Sequence, residues 1–271
     1  MKIYRYSGAG NNFIIVDGRN VEVPRFRRRE VIRMLCSMNG TDGLMILSSP
    51  VVPDTDFRME FFNPDGSCGM MCGNGGRCIV AFADLLGVKP SHRSTDEADC
   101  GYPEYVFSAA DGLHCGKILS HMGEFKLVRL SMSDISGWEE KAGGIFLNTG
   151  ARHLVLFVDD VDAVDVAAEG PRYRNMPEFA PEGTNVDFVQ ATPGGLKIRT
   201  FEKGVEAETA ACGTGIVAAS AASYIKGNPI PPEGYRVRAL QDELGVELKP
   251  SGNGFTEVFL TGPTLCEGQI L

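Results

Sequence analysis

The chain carries an internal repeat. The tetrapeptide Cys-Gly-Asn-Gly at residues 72–75 returns as Cys-Gly-Thr-Gly at residues 212–215, 140 positions later. A second pair of segments, GAGNNFIIVD at residues 8–17 and GARHLVLFVD at residues 150–159, has an offset of 142. Two separate matches at nearly the same offset are hard to obtain by chance. The sequence therefore predicts a duplicated unit that divides near residues 112–118.

Each copy is predicted to be mostly β-strand. β-branched and aromatic residues, interrupted by Pro, Gly and Asp, indicate strands at residues 51–62, 146–159, 185–190 and 196–201, with a first strand at residues 1–6. Helices are predicted at residues 27–37, 76–86 and 215–226. The last two are apolar nearly all round, which predicts burial inside their own domains. Residues 91–105 indicate an exposed loop.

Charge and hydropathy exclude some classes of function. The net charge of -9 and the pI near 5.0 argue against nucleic-acid binding, which requires a basic surface. The basic run at residues 25–29 is interpreted as the solvated face of a helix. No apolar run has the length of a membrane span, and the N-terminus lacks the apolar core of a signal peptide. We therefore expect a cytoplasmic protein without membrane or nucleic-acid partners.

The eight cysteines fit a reducing compartment, where they are expected to be free, catalytic or metal-bound. The zinc interpretation has little support, because no CxxC pair occurs and the four histidines show no ligand spacing. No metal site is predicted. A non-enzymatic, thiol-rich metal or redox binding protein stays open as a remote alternative.

The order of elements around the repeated tetrapeptide has a chemical consequence. A strand and a turn precede each cysteine and a helix follows it, which places Cys72 and Cys212 at helix N-termini. Unpaired N–H groups and the helix dipole favour negative charge there. The pKa of a cysteine in such a position can fall from about 8.5 to between roughly 3.5 and 7.5. The glycines of both motifs are expected to let a ligand approach the backbone donors.

Two such helix ends facing each other would hold a carboxylate with a thiol on either side. One thiolate removes the α-proton and the other thiol protonates the opposite face, so the configuration inverts. The helix dipoles stabilise the developing charge, and no pyridoxal phosphate or other cofactor is required. A single motif of this kind is more often a buried turn, but two copies favour function. Five other cysteines are predicted to be structural or incidental, namely Cys36, Cys68, Cys78, Cys115 and Cys266, and Cys100 is predicted to be incidental.

Further motifs extend over nearly the whole chain. They are GAGN with Phe13 and Asp17, GTDGL at residues 40–44, FNPDGS at 62–67, CGNG at 72–75 with Arg77 and Cys78, PEGTNV at 181–186 and RTFEKGVEAETAACGTG at 199–215. In these residues the sequence resembles the diaminopimelate epimerases. The resemblance implies Cys72 and Cys212 as the catalytic pair. It implies that the substrate is contacted by Asn11, Asn63, Gly73, Asn74, Asn185, Glu202, Lys203, Gly213 and Thr214.

The resemblance also implies a fold, a reaction and an assembly. The expected fold is α/β (α+β), with two pseudo-symmetric domains, each a curved, mostly antiparallel sheet around a central helix. The domains are predicted as residues 1–115 joined by a C-terminal strand at 263–271, and residues 116–262, with the active site in the cleft between them. The expected activity is interconversion of LL- and meso-diaminopimelate for lysine and peptidoglycan precursors, without a cofactor, in a homodimer that closes over its substrate.

Three positions depart from the family's usual pattern. Lys203 stands where the family has arginine, and Ala151 replaces a hydrogen-bonding residue. The spacing from Glu202 to Cys212 is one residue longer than usual. The first two positions lie where the family recognises the far end of the substrate. Arg152 either points into the cleft and takes over a carboxylate contact or faces solvent, and the sequence leaves both open.

Other families and motifs fit less well. A racemase of another amino acid on the same fold, for example histidine, is the alternative function. Proline racemases usually have histidine at the position of Asn74, and phenazine-type isomerases lack the cysteine pair. A dinucleotide site at Gly8 is disfavoured because Phe13 replaces the third glycine and a strand follows.

Overall fold

The structure is a computed structural model of the chain that describes residues 3–19, 23–69, 71–91 and 101–270. Predictions for Met1 and Lys2 of the first strand, for residues 92–100 of the loop, including Cys100, and for Leu271 of the last strand lie outside the described residues.

The described residues form two compact units. The first comprises the described residues among 1–130 and 262–271, and the second comprises residues 131–261. The first unit contains β1 (Ile3–Gly8), β2 (Asn11–Asp17), α1 (Arg29–Asn39), β3 (Gly43–Ser48), β4 (Phe57–Phe62), α2 (Gly73–Leu85), β5 (Glu104–Ala109), β6 (Gly112–Met122) and β7 (Phe125–Ser131).

The second unit repeats this series. It contains β8 (Trp138–Lys141), β9 (Gly144–Asn148), β10 (Arg152–Phe157), α3 (Val166–Arg174), β11 (Asn185–Thr192), β12 (Gly195–Glu202), β13 (Ala207–Thr209), α4 (Gly213–Ile225), β14 (Tyr235–Arg238) and β15 (Glu243–Ser251). The long strand β16 (Gly254–Gln269) starts in the second unit and ends in the first. Short 3-10 helices lie at Pro24–Arg27 and Pro177–Phe179.

In the first unit the sheet closes on itself. The strands pair in the order β1 to β7, antiparallel except for β2 with β3 and β4 with β5. The end of β16 pairs with β7 at residues 262–265 and with β1 at residues 265–269, and so joins the two edges. A closed sheet has no unpaired edge strand. The predicted C-terminal strand of this unit is thereby seen in residues 262–269.

The second unit follows the same pairing scheme. The strands β9 to β12 correspond to β1 to β4, with β10 and β11 parallel, and β14, β15 and the start of β16 correspond to β5, β6 and β7. In this unit, residues 132–141 connect the two edge strands of the sheet, β16 and β9. Met132 and Ile135 hydrogen-bond to β16, and β8 then pairs with β9. The predicted pseudo-symmetric α+β duplication is confirmed.

The helices take two roles within each unit. All but two residues of α2 are buried, and α4 exposes its side chains only at Thr214, Tyr224 and Ile225, so the predicted burial of these two helices is confirmed. The outer helices bury only a few of their residues. In the first unit, Ile32 and Leu35 of α1 pack on Ile14 of β2. In the second unit, Val166 of α3 packs on Leu154 and Phe201. Each sheet is thus covered by one helix on each face.

The structure differs from the sequence-based prediction at several places. The predicted exposed loop at 91–105 ends earlier, because Glu104 and Tyr105 belong to β5 and Tyr105 is buried. Residues 51–56 form turns, and the predicted strand at 146–159 is two strands around a turn at Gly150, which has a φ of 98°. Helix α3 was missed, since Pro171 and Gly170 lie inside it. The compact units divide at 130/131 and 261/262 instead of at 115/116 and 262/263, because β6 and β7 complete the first unit's sheet.

Candidate active site

Both repeated cysteines stand immediately before a buried helix. Cys72 and Cys212 have extended backbones, with φ and ψ of -100° and 126° and of -113° and 110°. Their carbonyls accept the first helical bonds, from Gly76 N at 2.7 Å and from Ile216 N at 2.9 Å. Neither cysteine side chain caps its helix. The cysteine side chain therefore leaves the other N–H groups of each first turn uncapped. N–H groups in this position are suited to binding an anion.

The predicted glycines of these turns have a role that the sequence did not show. A Cβ on Gly75 would lie 3.0 Å from Sδ of Met45, and a Cβ on Gly215 would lie 2.6 Å from Oδ1 of Asp187. Both glycines face a strand that runs beneath the helix. A glycine at each position lets the helix lie close to the sheet.

In the first unit, two predicted substrate residues contact each other. Asn74 Nδ2 donates to Asn11 Oδ1 at 2.7 Å. The guanidinium of Arg77, which is fully buried, donates to Asn74 Oδ1 at 2.9 Å. This donor fixes which end of the Asn74 amide faces Asn11. A permanent positive charge thus lies in the first turns of α2.

Asn63 follows β4 in a tight turn. Its side-chain amide donates to Ser67 Oγ at 3.0 Å, and its backbone N donates to Ser67 O at 2.9 Å. Asp65 accepts from the Ser67 hydroxyl at 2.6 Å, which closes the turn further. The loop that leads to Cys72 is therefore held by its own side chains.

In the second unit, Asn185 connects two strands. Its Oδ1 accepts from Lys203 N at 2.8 Å, and its Nδ2 donates to Arg152 O at 2.9 Å. Glu202 is the last residue of β12, so Asn185 holds the chain at the point where Glu202 and Lys203 emerge from the sheet. The structure thereby brings these three predicted residues together.

A buried network behind Cys212 was not predicted. Cys212 Sγ lies 3.3 Å from Thr214 Oγ1, which lies 2.9 Å from His153 Nε2. His153 Nδ1 lies 2.6 Å from Asp187 Oδ2, and both side chains are fully buried. The Thr200 hydroxyl donates to Asp187 Oδ1 at 2.7 Å. The repeat contained a signal for this site, because His153 aligns with Asn11 at the offset of 142.

The environment of His153 sets its charge. Burial alone lowers the pKa of this imidazole, but the charge of Asp187 and the hydrogen bond to it outweigh burial, and contacts with Cys212 act in the same direction. The net effect raises the His153 pKa from 6.5 to about 10. An anionic partner favours the protonated imidazole. The second unit therefore holds a buried ion pair next to its cysteine.

Three of the remaining cysteines have environments that keep the thiol protonated. Burial raises the pKa of Cys78 to about 12 and raises that of Cys36. Burial and a hydrogen bond from Cys115 Sγ to Glu104 raise the pKa of Cys115 to about 12. Thiols that resist ionisation are poor acid–base groups near neutral pH. This supports the structural role predicted for these three residues.

Arg152 is occupied by protein groups. Its guanidinium contacts Glu182 at 2.8 Å and lies 5.6 Å from the centre of the Phe146 ring. Arg174 is likewise paired with Glu206 at 2.9 Å. Lys203 is exposed and makes no ion pair with the residues that the structure describes. Lys203 is thus the cation near Glu202 that is available to a ligand.

Within the described ranges, no group of three or more His, Cys, Asp and Glu side chains has a geometry that would hold a metal ion. The helices among these residues are too short or too polar to cross a membrane.

Known proteins are similar to this chain over most of its length. A family model for diaminopimelate epimerase matches residues 3–103 and 145–265. The chain is 35% identical to the diaminopimelate epimerase of Flavobacterium psychrophilum, over 97% of this chain and 96% of that protein. It is 34% identical to that of Aquifex aeolicus, over 97% and 94%, and 40% identical to that of Chlorobaculum tepidum, over 80% and 81%.

Solved structures agree on the fold. A phenazine biosynthesis protein of the PhzF family from Bacillus anthracis superposes with a TM-score of 0.74 at 12% identity, over 100% of this chain and 99% of that one. A probable proline racemase from Agrobacterium radiobacter superposes with a TM-score of 0.67 at 15% identity, over 100% and 92%.

These relatives, at 34–40% identity, are epimerases, and the chain is accordingly an isomerase. Within that class, the chain belongs to the diaminopimelate epimerase family.

Proposed function

We propose that the protein interconverts LL- and meso-2,6-diaminopimelate, with Cys72 and Cys212 as its two acid–base groups and with no cofactor. The observation that carries this proposal is the duplication of one local geometry, a cysteine before a buried helix, in a member of this family. The reaction needs one group on each face of the α-carbon.

The chemistry follows from the helix starts. A substrate carboxylate would bind the N–H groups of both first turns, where the helix dipoles are positive. In one direction a thiolate takes the α-proton while the other thiol donates to the opposite face. Negative charge builds on the carboxylate as the proton leaves, and the same N–H groups stabilise it. This stabilisation takes the place of the electron sink that pyridoxal phosphate supplies in other enzymes.

Substrate choice is supported by the polar residues at the end of β12. We propose that Lys203 binds the distal carboxylate of diaminopimelate, because its ammonium is free of ion pairs within the described chain while Arg152 and Arg174 have carboxylate partners. Glu202 and Asn185 complete this site through the distal amine and carboxylate. A lysine supplies a point charge instead of the two-pronged grip of arginine. Both side chains recognise a carboxylate by its negative charge.

Assembly and location are part of the same proposal. All seven described cysteines are free thiols, which supports the reducing cytoplasm as its compartment. The homodimer rests on the family resemblance alone.

The test is α-proton exchange. Dialysed, chelator-treated protein is incubated in deuterated water with LL-diaminopimelate, L-histidine or L-lysine. The stereoisomers are then separated by chiral chromatography, and their deuterium content is measured by mass spectrometry. We expect deuterium at one α-carbon of diaminopimelate and formation of the meso isomer. If histidine is racemised and diaminopimelate does not react, the proposed substrate is wrong and histidine takes its place. Dependence on added pyridoxal phosphate or a divalent metal would overturn the cofactor-independent mechanism.

Lys203→Ala tests the distal contact. We expect KM for diaminopimelate to rise roughly tenfold or more, since a hydrogen bond to a charged group contributes about 1.5–3 kcal/mol. Lys197→Ala is the matched control, because Lys197 lies on β12, which ends just before Lys203, and pairs with Asp162. An unchanged KM in Lys203→Ala would remove Lys203 from the substrate site.

A further inference from the structure

The chain between β12 and β13 makes a tight turn that carries Lys203 at its start. Asn185 Oδ1 accepts from Lys203 N at 2.8 Å, and Glu206 N donates to Glu202 O at 2.8 Å. Glu206 has a left-handed backbone with a φ of 59°, and its carboxylate folds back to accept from Gly204 N at 3.0 Å. The turn therefore carries a carboxylate next to the cation that is proposed to bind the distal carboxylate of the substrate.

Arg174, the last residue of α3, holds the carboxylate of Glu206. Nε and Nη2 of Arg174 donate to Glu206 Oε1 at 3.1 Å and 2.9 Å. A Cβ on Gly183 would lie 2.0 Å from Nη1 of Arg174, so the guanidinium packs directly against the turn that precedes β11. The exposed fraction of the side chain is 19% for Arg174 and 51% for Glu206. Arg174 is thus the member of the pair that packing fixes in place.

A second arginine holds a second carboxylate in the same unit. Arg152 Nη1 donates to Glu182 Oε2 at 2.8 Å, and its guanidinium lies 5.6 Å from the centre of the Phe146 ring. Glu182 belongs to the loop that leads into β11, whose first residue is Asn185. Both elements that bring Asn185 and Lys203 together therefore carry a glutamate that is paired with an arginine.

The charge of Lys203 acts on both glutamates. Hydrogen bonds from Arg174 and from a backbone N–H of the turn lower the pKa of Glu206, and the charge of Lys203 acts in the same direction. A hydrogen bond from its own backbone N–H and one from Arg152 lower the pKa of Glu182, and Lys203 again adds to the effect. Each carboxylate is therefore an alternative partner for the Lys203 ammonium, and each is occupied by its arginine.

We propose that Arg174 and Arg152 are positioning residues that keep Lys203 available to the substrate. Arg174 holds Glu206 and Arg152 holds Glu182, and either carboxylate would otherwise pair with the Lys203 ammonium. Among these five side chains three cations face two carboxylates, so the positive charge that has no protein partner lies at Lys203. A substrate that carries a carboxylate at its far end binds as the third anion. This inference rests on the proposed function, which assigns the distal carboxylate to Lys203.

The first test measures the availability of Lys203 without any substrate. Brief treatment with acetic anhydride, followed by peptide mass spectrometry, reports how fast each lysine amine is acetylated. In Arg174→Gln the carboxylate of Glu206 loses its partner and pairs with Lys203, so acetylation of Lys203 should slow about twofold to fivefold, as expected for an exposed ion pair. Glu206→Gln in the same chain should restore the wild-type rate, because the competing carboxylate is gone.

Arg172→Gln is the matched control for this test. Arg172 also lies on α3, and it pairs with Glu169 of the same helix instead of with the turn. Acetylation of Lys203 should be as fast in this control as in wild type. Equal rates in wild type and in Arg174→Gln would overturn the proposal, and so would a slower rate in Arg172→Gln.

The second test separates this role from a purely structural one. Arg174→Gln should raise KM for diaminopimelate about twofold to fivefold and leave kcat nearly unchanged. The double variant Arg174→Gln/Glu206→Gln should return KM to the wild-type value. In a Lys203→Ala background, Arg174→Gln should change KM no further, because Arg174 acts through Lys203. If the double variant keeps the raised KM, the pair only holds the turn in place and the proposal is wrong.

Arg152 provides an independent check. Arg152→Gln should raise KM in the same way, and Glu182→Gln in the same chain should reverse the rise. A rise in KM that Glu182→Gln does not reverse would exclude this role for Arg152. If acetylation of Lys203 changes as expected while diaminopimelate does not react, the competition for Lys203 is supported and the proposed substrate is wrong.

Discussion

The starts of α2 and α4 have one backbone geometry and different electrostatics. Beneath the first turn of α2 lies the thioether of Met45, and beneath that of α4 lies the carboxylate of Asp187. Asn11 in the first unit occupies the repeat position of His153 in the second. The buried Arg77 of α2 corresponds to Val217 of α4.

This comparison shows what duplication conserved and what it changed. The backbone and the glycine over the strand stayed, and an added Cβ would lie 3.0 Å from Met45 Sδ in the first unit and 2.6 Å from Asp187 Oδ1 in the second. The buried polar groups diverged: one unit has a cation that never loses its charge, and the other has a histidine–carboxylate pair that can. Two thiols in unequal fields suit a substrate whose two faces present different groups. The following predictions test that inequality.

The largest effect is expected at the cysteines. Cys72→Ala and Cys212→Ala should each lower epimerisation by about 10²–10⁴-fold, since each removes one of two acid–base groups. Cys36→Ala, a buried thiol of α1, is the control and should retain most activity. The rate of meso-diaminopimelate formation measures the activity of the active-site variants and of the control. Full activity in either active-site variant would show that one thiol suffices.

The second effect concerns the glycines. Gly215→Ala should destabilise the protein by about 1–3 kcal/mol, because the new methyl meets Asp187 and His153, which are held by hydrogen bonds. Gly75→Ala should be nearly neutral, since the flexible Met45 side chain can shift and alanine favours the helix. Urea unfolding of the two variants measures the difference. Equal losses would mean that the two helix starts are packed alike.

The third effect is the pH dependence of stability. The folded pKa of His153, about 10, exceeds its ordinary value of 6.5, so this residue contributes stability that is complete below about 6.5 and is lost as pH rises through 10. Asp187→Asn removes the cause. The gap in unfolding free energy between wild type and Asp187→Asn should therefore shrink from pH 6.5 to pH 10. A gap that stays constant over this range would indicate that the pair is not ionised.

The smallest effect is expected at Arg77. Arg77→Lys keeps the charge but lacks the planar fork that reaches Asn74. Loss of this bond, about 1 kcal/mol, should raise KM for diaminopimelate roughly fivefold and leave kcat nearly unchanged. Steady-state kinetics measures the effects on KM and kcat separately. If kcat falls instead, Arg77 acts on the reacting groups and not on substrate placement.

The sequence predicted what repeats and missed what is unique to one copy. The sequence predicted the strand and helix patterns, the two cysteines and the duplicated fold, because each of these appears twice or has a regular period. The Asp187–His153 pair was not, since its members are 34 residues apart and meet only when β10 and β11 lie parallel. Helix α3 was hidden by Pro171, which sequence rules assign to a break.

The strand β16 has a consequence for how the chain is made. Residues 131–261 are contiguous and contain the complete second unit, whereas the first unit's sheet closes only with residues 262–269. During synthesis from the N-terminus, the half that emerges first must therefore wait for the last residues before its sheet can close. Its two edges, β1 and β7, stay unpaired in the meantime and are exposed to association with other chains. We expect truncation of the final ten residues to impair folding of the N-terminal half more than that of the C-terminal half.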